Sequence, residues 1–193
     1  MTSENFLSSS VWVARMKTYF KLMDVKGDGV LSLLDYETIA DRFIELQSDS
    51  SNSEVIRALF QNLFHNFVAG GNTLDANTRI GEEEFIKNAA KAVSVIESAI
   101  EAGRRKNEVF FDLVDTNHSG KISYEEYRQY LTIYSGGDDP DRAKKAFESL
   151  DVNGNGFITR TEFIEGHVRY WFTIPSDQAD TPLPYGPLID TDA

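Results

Sequence analysis

Asp115-Thr-Asn-His-Ser-Gly-Lys-Ile-Ser-Tyr-Glu-Glu126 and Asp151-Val-Asn-Gly-Asn-Gly-Phe-Ile-Thr-Arg-Thr-Glu162 are two twelve-residue windows built to one plan. Each puts an oxygen-bearing side chain at positions 1, 3, 5, 9 and 12, glycine at 6 and isoleucine at 8. A hard divalent cation takes about six to eight oxygens, and this spacing delivers them. Asp115, Asn117 and Ser119 converge from one side, the Lys121 carbonyl and a water held by Ser123 fill the middle, and Glu126 closes the shell with two oxygens. In the second window the same roles fall to Asp151, Asn153, Asn155, the Phe157 carbonyl, Thr159 and Glu162. One such string is also what a polar surface turn looks like, because Asp, Asn and Gly favour turns. Two full matches, each set between apolar helical runs, point to Ca2+ loops.

A third window, Asp24-Val-Lys-Gly-Asp-Gly-Val-Leu-Ser-Leu-Leu-Asp35, fits at Asp24, Asp28, Gly29 and Ser32, with Val30 placed to offer its carbonyl. Lys26 stands where an oxygen belongs, and Asp35 replaces the longer Glu. A shorter carboxylate reaches the ion less easily and an ammonium opposes it, so weaker Ca2+ binding is expected here. Such loops pair through short strands, so a fourth should lie between the first and third. Placing Ile80 at position 8 and Glu84 at position 12 puts Thr73 at position 1 and Thr78 at the glycine position. Asp75, Asn77 and Glu84 remain, but the first carboxylate and the sharp turn are missing, and this hand is expected to be degenerate and to bind no calcium. The loops are therefore numbered 1 to 4 in chain order.

The chain has 193 residues, enough for a sizeable core, and a formal net charge of −12. That charge argues against nucleic-acid or anionic-membrane partners and suits cations. No segment has the length and apolarity of a membrane span. Without cysteine there is no disulfide framework. The start, Met-Thr-Ser-Glu-Asn-Phe, lacks the basic and apolar regions of a secretory signal, and a cytoplasmic monomer is expected. Three histidines, His65, His118 and His167, with no nucleophile-base spacing offer no conventional enzyme site.

Apolar residues recur at helical spacing on both sides of each loop. The expected fold is all-α: four helix-loop-helix hands paired in a compact two-lobed globule, with no sheet beyond the loop pairings. Residues 10–102 form the N-terminal pair, 103–173 the C-terminal pair and 174–193 a tail. Ser51 with Glu54 predicts a capping box, and Asp139 before Pro140 predicts a capped helix start. Four of the five prolines fall in the last nineteen residues, so the tail is not a regular helix. Its Leu183, Tyr185, Leu188 and Ile189 favour docking on the body.

The last helix carries Phe163, Ile164, His167, Val168, Trp171 and Phe172 on one face. One reading is a solid core with a hydrogen-bonded histidine. The other is an internal cavity where His167, Trp171 and Tyr185 grip an apolar aromatic ligand.

Three active hands with a silent second one, this length and a docked tail resemble the sarcoplasmic calcium-binding proteins, the coelenterazine-binding proteins and the calcium-regulated photoproteins. Trp12-Val-Ala-Arg15, His167-Val-Arg-Tyr-Trp171-Phe-Thr-Ile174 and Tyr185-Gly186 resemble the photoproteins. Met16-Lys-Thr18, Asp24-Val-Lys-Gly-Asp-Gly29, Asp35-Tyr-Glu37 and Tyr185-Gly-Pro-Leu-Ile-Asp190 resemble the coelenterazine-binding proteins. The resemblance implies a coelenterazine site at His167, Trp171, Tyr185, Tyr130, Tyr127 and Thr18. Thr18 takes the place of the photoproteins' cavity histidine, Ala89 that of a cavity tryptophan, and Tyr127 that of another tryptophan. It further implies ligand release to a luciferase or oxidative decarboxylation with light. Apart from the resemblance, the charge counts of the loops leave Mg2+ occupancy at rest open. Two other readings stand beside the coelenterazine site: a sarcoplasmic-type buffer without an organic ligand, and a sensor for a protein target. Only three methionines count against the adaptable surface of such a sensor.

Overall fold

In the computed structural model, which describes residues 2–47, 50–70, 77–94, 96–174 and 182–189, helices flank each predicted loop. The described elements are α1 (Ser3–Leu7), α2 (Ser10–Met23), β1 (Val30–Leu31), α3 (Leu33–Leu46), α4 (Ser53–Leu63), β2 (Ile80–Gly81), α5 (Glu82–Ser94), α6 (Ile96–Val114), β3 (Lys121–Ser123), α7 (Tyr124–Ser135), α8 (Pro140–Leu150), β4 (Phe157–Thr159) and α9 (Arg160–Phe172). Position 8 of each loop is the pairing residue. Leu31 faces Ile80 in the first antiparallel ribbon and Ile122 faces Ile158 in the second. These four aliphatic side chains are buried, so the ribbons are pinned from the core side.

Local chemistry sets the helix starts. Ser123 with Glu126, and Thr159 with Glu162, form capping boxes at α7 and α9, so loop positions 9 and 12 also open the outgoing helices. Asp139 caps α8 ahead of Pro140, accepting from the Arg142 N–H. The capping box predicted at Ser51 and Glu54 is displaced: a 3-10 turn, Ser50–Asn52, intervenes and Asn52 becomes the N-cap. An additional short helix, α1, opens on a Thr2–Asn5 capping box and buries Phe6 against Trp12, ring centroids 5.2 Å apart. After α4 the hydrogen bonding widens into a π-helical turn, Phe64–Val68, whose Val68 carbonyl accepts from the Asn88 side chain at 2.8 Å.

The two pairs of hands share one core. α6 runs unbroken across the expected boundary at 102/103 and packs along α9. From the N-terminal half, Trp12 Nε1 donates to the Trp171 carbonyl at 2.9 Å. Arg15 Nη1 donates to the carbonyls of Tyr170 (2.9 Å), Thr173 (3.1 Å) and Arg169 (3.3 Å). Arg42 and Gln47 donate across to Ile133 and Leu113 carbonyls.

Residues 182–189 lie against this body. Leu183 N–H donates to Ser149 Oγ, the Tyr127 hydroxyl donates to the Pro184 carbonyl, and Ile189 N–H donates to Thr18 Oγ1. Gly186 turns the segment at φ 81°, and a Cβ there would meet Arg142 Cγ at 2.4 Å.

Candidate functional site

Loops 3 and 4 have the same internal wiring. Asp115 accepts the N–H groups of Ser119 (2.9 Å) and Gly120 (2.8 Å), and Asp151 those of Asn155 (3.1 Å) and Gly156 (2.8 Å). Each first-position carboxylate thus draws its loop around itself through backbone N–H groups. The turn at position 4 requires a left-handed backbone: Gly27 and Gly154 supply it in loops 1 and 4, and the exposed His118 adopts it at φ 54° in loop 3. Glu126 accepts from the Ser123 N–H and hydroxyl at 2.9 and 2.7 Å, and Glu162 accepts from those of Thr159 at the same distances. Partial burial opposes their ionisation, but these bonds, with others from Asn117 and Thr116 or from Asn153 and Val152, outweigh it. Both carboxyls are held below the usual range.

The donor set suits a hard cation. Each of these loops supplies two carboxylates, with amide, hydroxyl and carbonyl oxygens for the rest. Asn117, Ser119 and the Lys121 carbonyl lie on one loop with Asp115 and Glu126; Asn153, Asn155 and the Phe157 carbonyl lie with Asp151 and Glu162. Among the described residues no three carboxylate, imidazole or thiol groups form a cluster. Lys121, at position 7 of loop 3, directs its ammonium over the Phe157 ring of the facing strand.

Loop 1 differs in its interior. Asp24 organises it as its counterparts do, accepting from Asp28 and Gly29 N–H groups. Lys26 Nζ, however, lies 2.9 Å from Asp28 Oδ2, 3.0 Å from Ser32 Oγ and 3.4 Å from Asp35 Oδ2. The hydrogen bond to Asp28 holds the Lys26 ammonium above its usual range. In loop 2 the expected first positions, Thr73 and Asp75, lie outside the described residues. Ile80 pairs at position 8 as expected.

Behind loop 4 the interior is aromatic. His167 is buried, with Nδ1 2.8 Å from the Phe163 carbonyl. A carbonyl only accepts, so Nδ1 carries the proton and Nε2 is a bare acceptor, without a partner among the described residues. The Tyr185 ring stands edge-on to His167 at 5.6 Å between centroids, and also meets Tyr19 (5.3 Å), Tyr134 (5.8 Å) and Tyr170 (5.3 Å). Trp171 reaches this cluster through Tyr19, 4.6 Å away. Tyr127 and Tyr130 lie beside it at 5.4 Å from each other, and the Tyr134 hydroxyl donates to that of Tyr130.

The six residues assigned to a ligand thus divide. His167 and Tyr185 touch; Tyr127 and Thr18 spend their polar groups on the tail backbone. Trp171 alone of the six also lines a recess of about 370 Å³ between α4, α5, α6 and α9. Leu59, Leu63, Ala99, Gly103 and Lys106 share that recess. Lys106 Nζ stands 5.6 Å from the Trp171 ring centroid, and burial pushes its ammonium down to about 8. Sequence reasoning missed the structural part of Arg15 and the rings of Tyr19, Tyr134 and Tyr170. Arg15 and Tyr170 lie in stretches quoted for their resemblance to the photoproteins, and Tyr19 stands out in sequence only as an apolar-face residue.

Burial pushes His167 down to about 3; the Phe163 carbonyl opposes this and the Lys106 charge adds to it. The unfolded chain binds a proton at His167 near its ordinary value of 6.5, and the folded chain does not until far lower pH. Unfolding therefore takes up a proton, and stability falls as pH drops through about 6.5 towards 3. Between pH 6.5 and 5, above the usual carboxylate range, calcium-free protein is expected to lose about 1.5–2 kcal/mol through this group. Urea titrations of wild type and His167→Phe, run in parallel, should differ in that pH slope.

Comparison with known proteins reflects the same arrangement. A model of the EF-hand domain pair matches residues 104–167, and a single EF-hand model matches residues 16–40. The luciferin-binding protein of Renilla reniformis is 34% identical over 161 residues, covering 78% of this chain and 80% of that protein. The chain belongs to the EF-hand superfamily of sarcoplasmic calcium-binding, luciferin-binding and photoproteins. The sarcoplasmic calcium-binding protein of Hediste diversicolor is 36% identical to this EF-hand chain over 124 residues, 62% of it and 67% of the relative. The solved coelenterazine-binding protein of Renilla muelleri, in its calcium-loaded apo form, superposes with a TM-score of 0.67. That match is 28% identical and covers 92% of this chain and 96% of the other. Among the described residues no helix is long and apolar enough to cross a membrane.

Proposed function

We propose that this EF-hand protein binds Ca2+ through loops 3 and 4 and couples that binding to an aromatic interior holding a small apolar ligand of the coelenterazine kind. One observation carries the coupling. Glu162, the closing residue of loop 4, is also the third residue of α9, the helix whose later turns carry His167 and Trp171. The Renilla relatives, one named for luciferin and the other for coelenterazine, support the ligand class.

Closing on an ion draws Glu162 away from Asn153, whose side-chain amide donates to it at 2.6 Å. Because Glu162 is fixed in the first turn of α9, the helix turns with it, as outgoing helices do when sensor hands open. His167 then moves relative to Tyr185, which is anchored on α7 through the bond from Tyr127 to Pro184. The bare Nε2 of His167 is the acceptor a ligand hydroxyl or N–H would use. Release of the ligand, or its oxidation with light, is the functional outcome. The second hand acts as a structural partner for loop 1, without an ion.

A second reading, a calcium buffer with no organic ligand, has its own support: Tyr185 and His167 already touch, so the polar tips satisfy a packed interior. One experiment separates the two. Calcium-free protein is incubated with coelenterazine in air and gel-filtered, and Ca2+ is then injected while absorption and light are recorded. Co-elution of the chromophore with a Ca2+-dependent spectral change supports the carrier reading, and added light makes it a photoprotein. Passage of all chromophore into the small-molecule fraction sinks the ligand and leaves the buffer.

A further inference from the structure

We infer that loop 1 carries its own cation: the Lys26 ammonium takes the position of Ca2+, so the chain binds two calcium ions and its first hand stays in a filled-loop geometry without any. The side chains at positions 5, 9 and 12 are those that would turn towards an ion. In this loop Asp28, Ser32 and Asp35 occupy these positions, and all three lie within 3.4 Å of one nitrogen. An ammonium has three donors on a compact charge, which matches three converging oxygens.

The surrounding bonds fit this occupant. Ser32 Oγ donates to Asp35 Oδ2 at 2.6 Å, leaving its lone pairs free to accept from Lys26, and Ser32 N–H donates to the same carboxylate oxygen at 2.8 Å. Asp35 is fully buried, so its charge needs a counter-charge close by. Asp35 is also the shorter carboxylate at position 12: it reaches Ser32 and Lys26, and it closes the capping box that starts α3. The two anomalies of this loop in the sequence, Lys for an oxygen and Asp for Glu, are therefore one device. In the C-terminal pair nothing equivalent exists. Lys121 of loop 3 points at the Phe157 ring, and loop 4 carries Asn153 where loop 1 carries Lys26.

A calcium ion entering loop 1 would have to expel a tethered charge of its own sign and break three contacts at once. Of the carboxylate oxygens at position 12, Asp35 Oδ1, which has no partner among the described residues, is left open to it. The consequence for the molecule is an asymmetry. α2, ending at loop 1, holds the far end of α9 through Trp12 and Arg15. With its loop permanently filled, α2 is a fixed abutment, and calcium-driven movement is confined to the hands of loops 3 and 4.

Calorimetric Ca2+ titration of the full chain tests this. Wild type is expected to take two ions and Lys26→Asp three. In a Glu126→Gln/Glu162→Gln background, binding should vanish up to about 1 mM Ca2+, and adding Lys26→Asp should restore one site. Lys26→Met, which removes the charge and adds no oxygen, should lower the melting temperature in chelator, and in the Glu126→Gln/Glu162→Gln background the same deficit should appear with and without Ca2+. Three sites of similar affinity in wild type, one remaining site in the double variant, or a Lys26→Met protein as stable as wild type in chelator would each overturn the inference.

Discussion

Glu162→Gln is expected to weaken Ca2+ binding at loop 4 by about 100-fold or more, beyond the loss usual for changes one shell further out. Position 12 gives the ion two oxygens and a full negative charge. Glutamine keeps the length but offers one oxygen and no charge. In the calcium-free fold the change should be mild. The Thr159 N–H and hydroxyl can donate to the remaining oxygen, while the other oxygen's bonds from the Asn153 side-chain amide and backbone N–H, donor now facing donor, are lost, at a cost of about 1–2 kcal/mol. Competition with a fluorescent chelator reads the affinity, and near-ultraviolet circular dichroism reads the surroundings of Trp171. The matched Glu126→Gln change should weaken loop 3 comparably yet leave a Ca2+-dependent signal from Trp171, because α7 rather than α9 follows that loop. Wild-type affinity in Glu162→Gln would remove loop 4 from the calcium sites. An equal loss of the Trp171 signal in both variants would remove the direct coupling through α9.

What could be read from sequence was what is local. Ligand spacing in a twelve-residue loop, the glycine at position 6, the paired aliphatic at position 8 and the Asp139-Pro140 start are settled within a few residues, and the fold keeps them. The start of α4 differs: a 3-10 turn, Ser50–Asn52, precedes it and puts Asn52 rather than Ser51 at the N-cap position. Lys26 was half legible. The charge conflict is visible in the string, but whether a flexible side chain folds into the loop or out to solvent depends on where Ser32 and Asp35 sit once the loop has wrapped. The interior was least legible. His167 and Trp171 share a helical face, as their spacing says, yet Tyr185 arrives from a segment whose path is set by Tyr127, Ser149 and Thr18, far away in the chain. The N-terminal Trp12 and Arg15 could be matched by resemblance, while their physical role appears only when the end of α9 is brought to them.

That role makes Arg15→Met the substitution expected to cost the most stability, about 3 kcal/mol or more in chemical denaturation. Arg15 is fully buried, and burial pushes its guanidinium down to about 10, still charged at neutral pH. Its Nη1 meets carbonyls at the end of α9, where the helix dipole is negative and the last carbonyls lack intrahelical partners. The bond is reciprocal, because the Tyr170 hydroxyl donates to the Arg15 carbonyl at 2.6 Å. Methionine fills the volume with no donor, so the buried Tyr170 carbonyl and the half-buried Thr173 carbonyl lose this one. Lysine should recover part of the loss, since the three carbonyls converge on the one nitrogen Nη1 and an ammonium carries three donors, though on a shorter stem. Trp12→Phe, which removes a single hydrogen bond to the Trp171 carbonyl, should cost only about 1 kcal/mol. The ordering of the three variants is the decisive result. If Arg15→Met proved no worse than Trp12→Phe, ring packing around Tyr170 and Trp171 would be what fixes α9, and the abutment formed by α2 would have to be sought there instead.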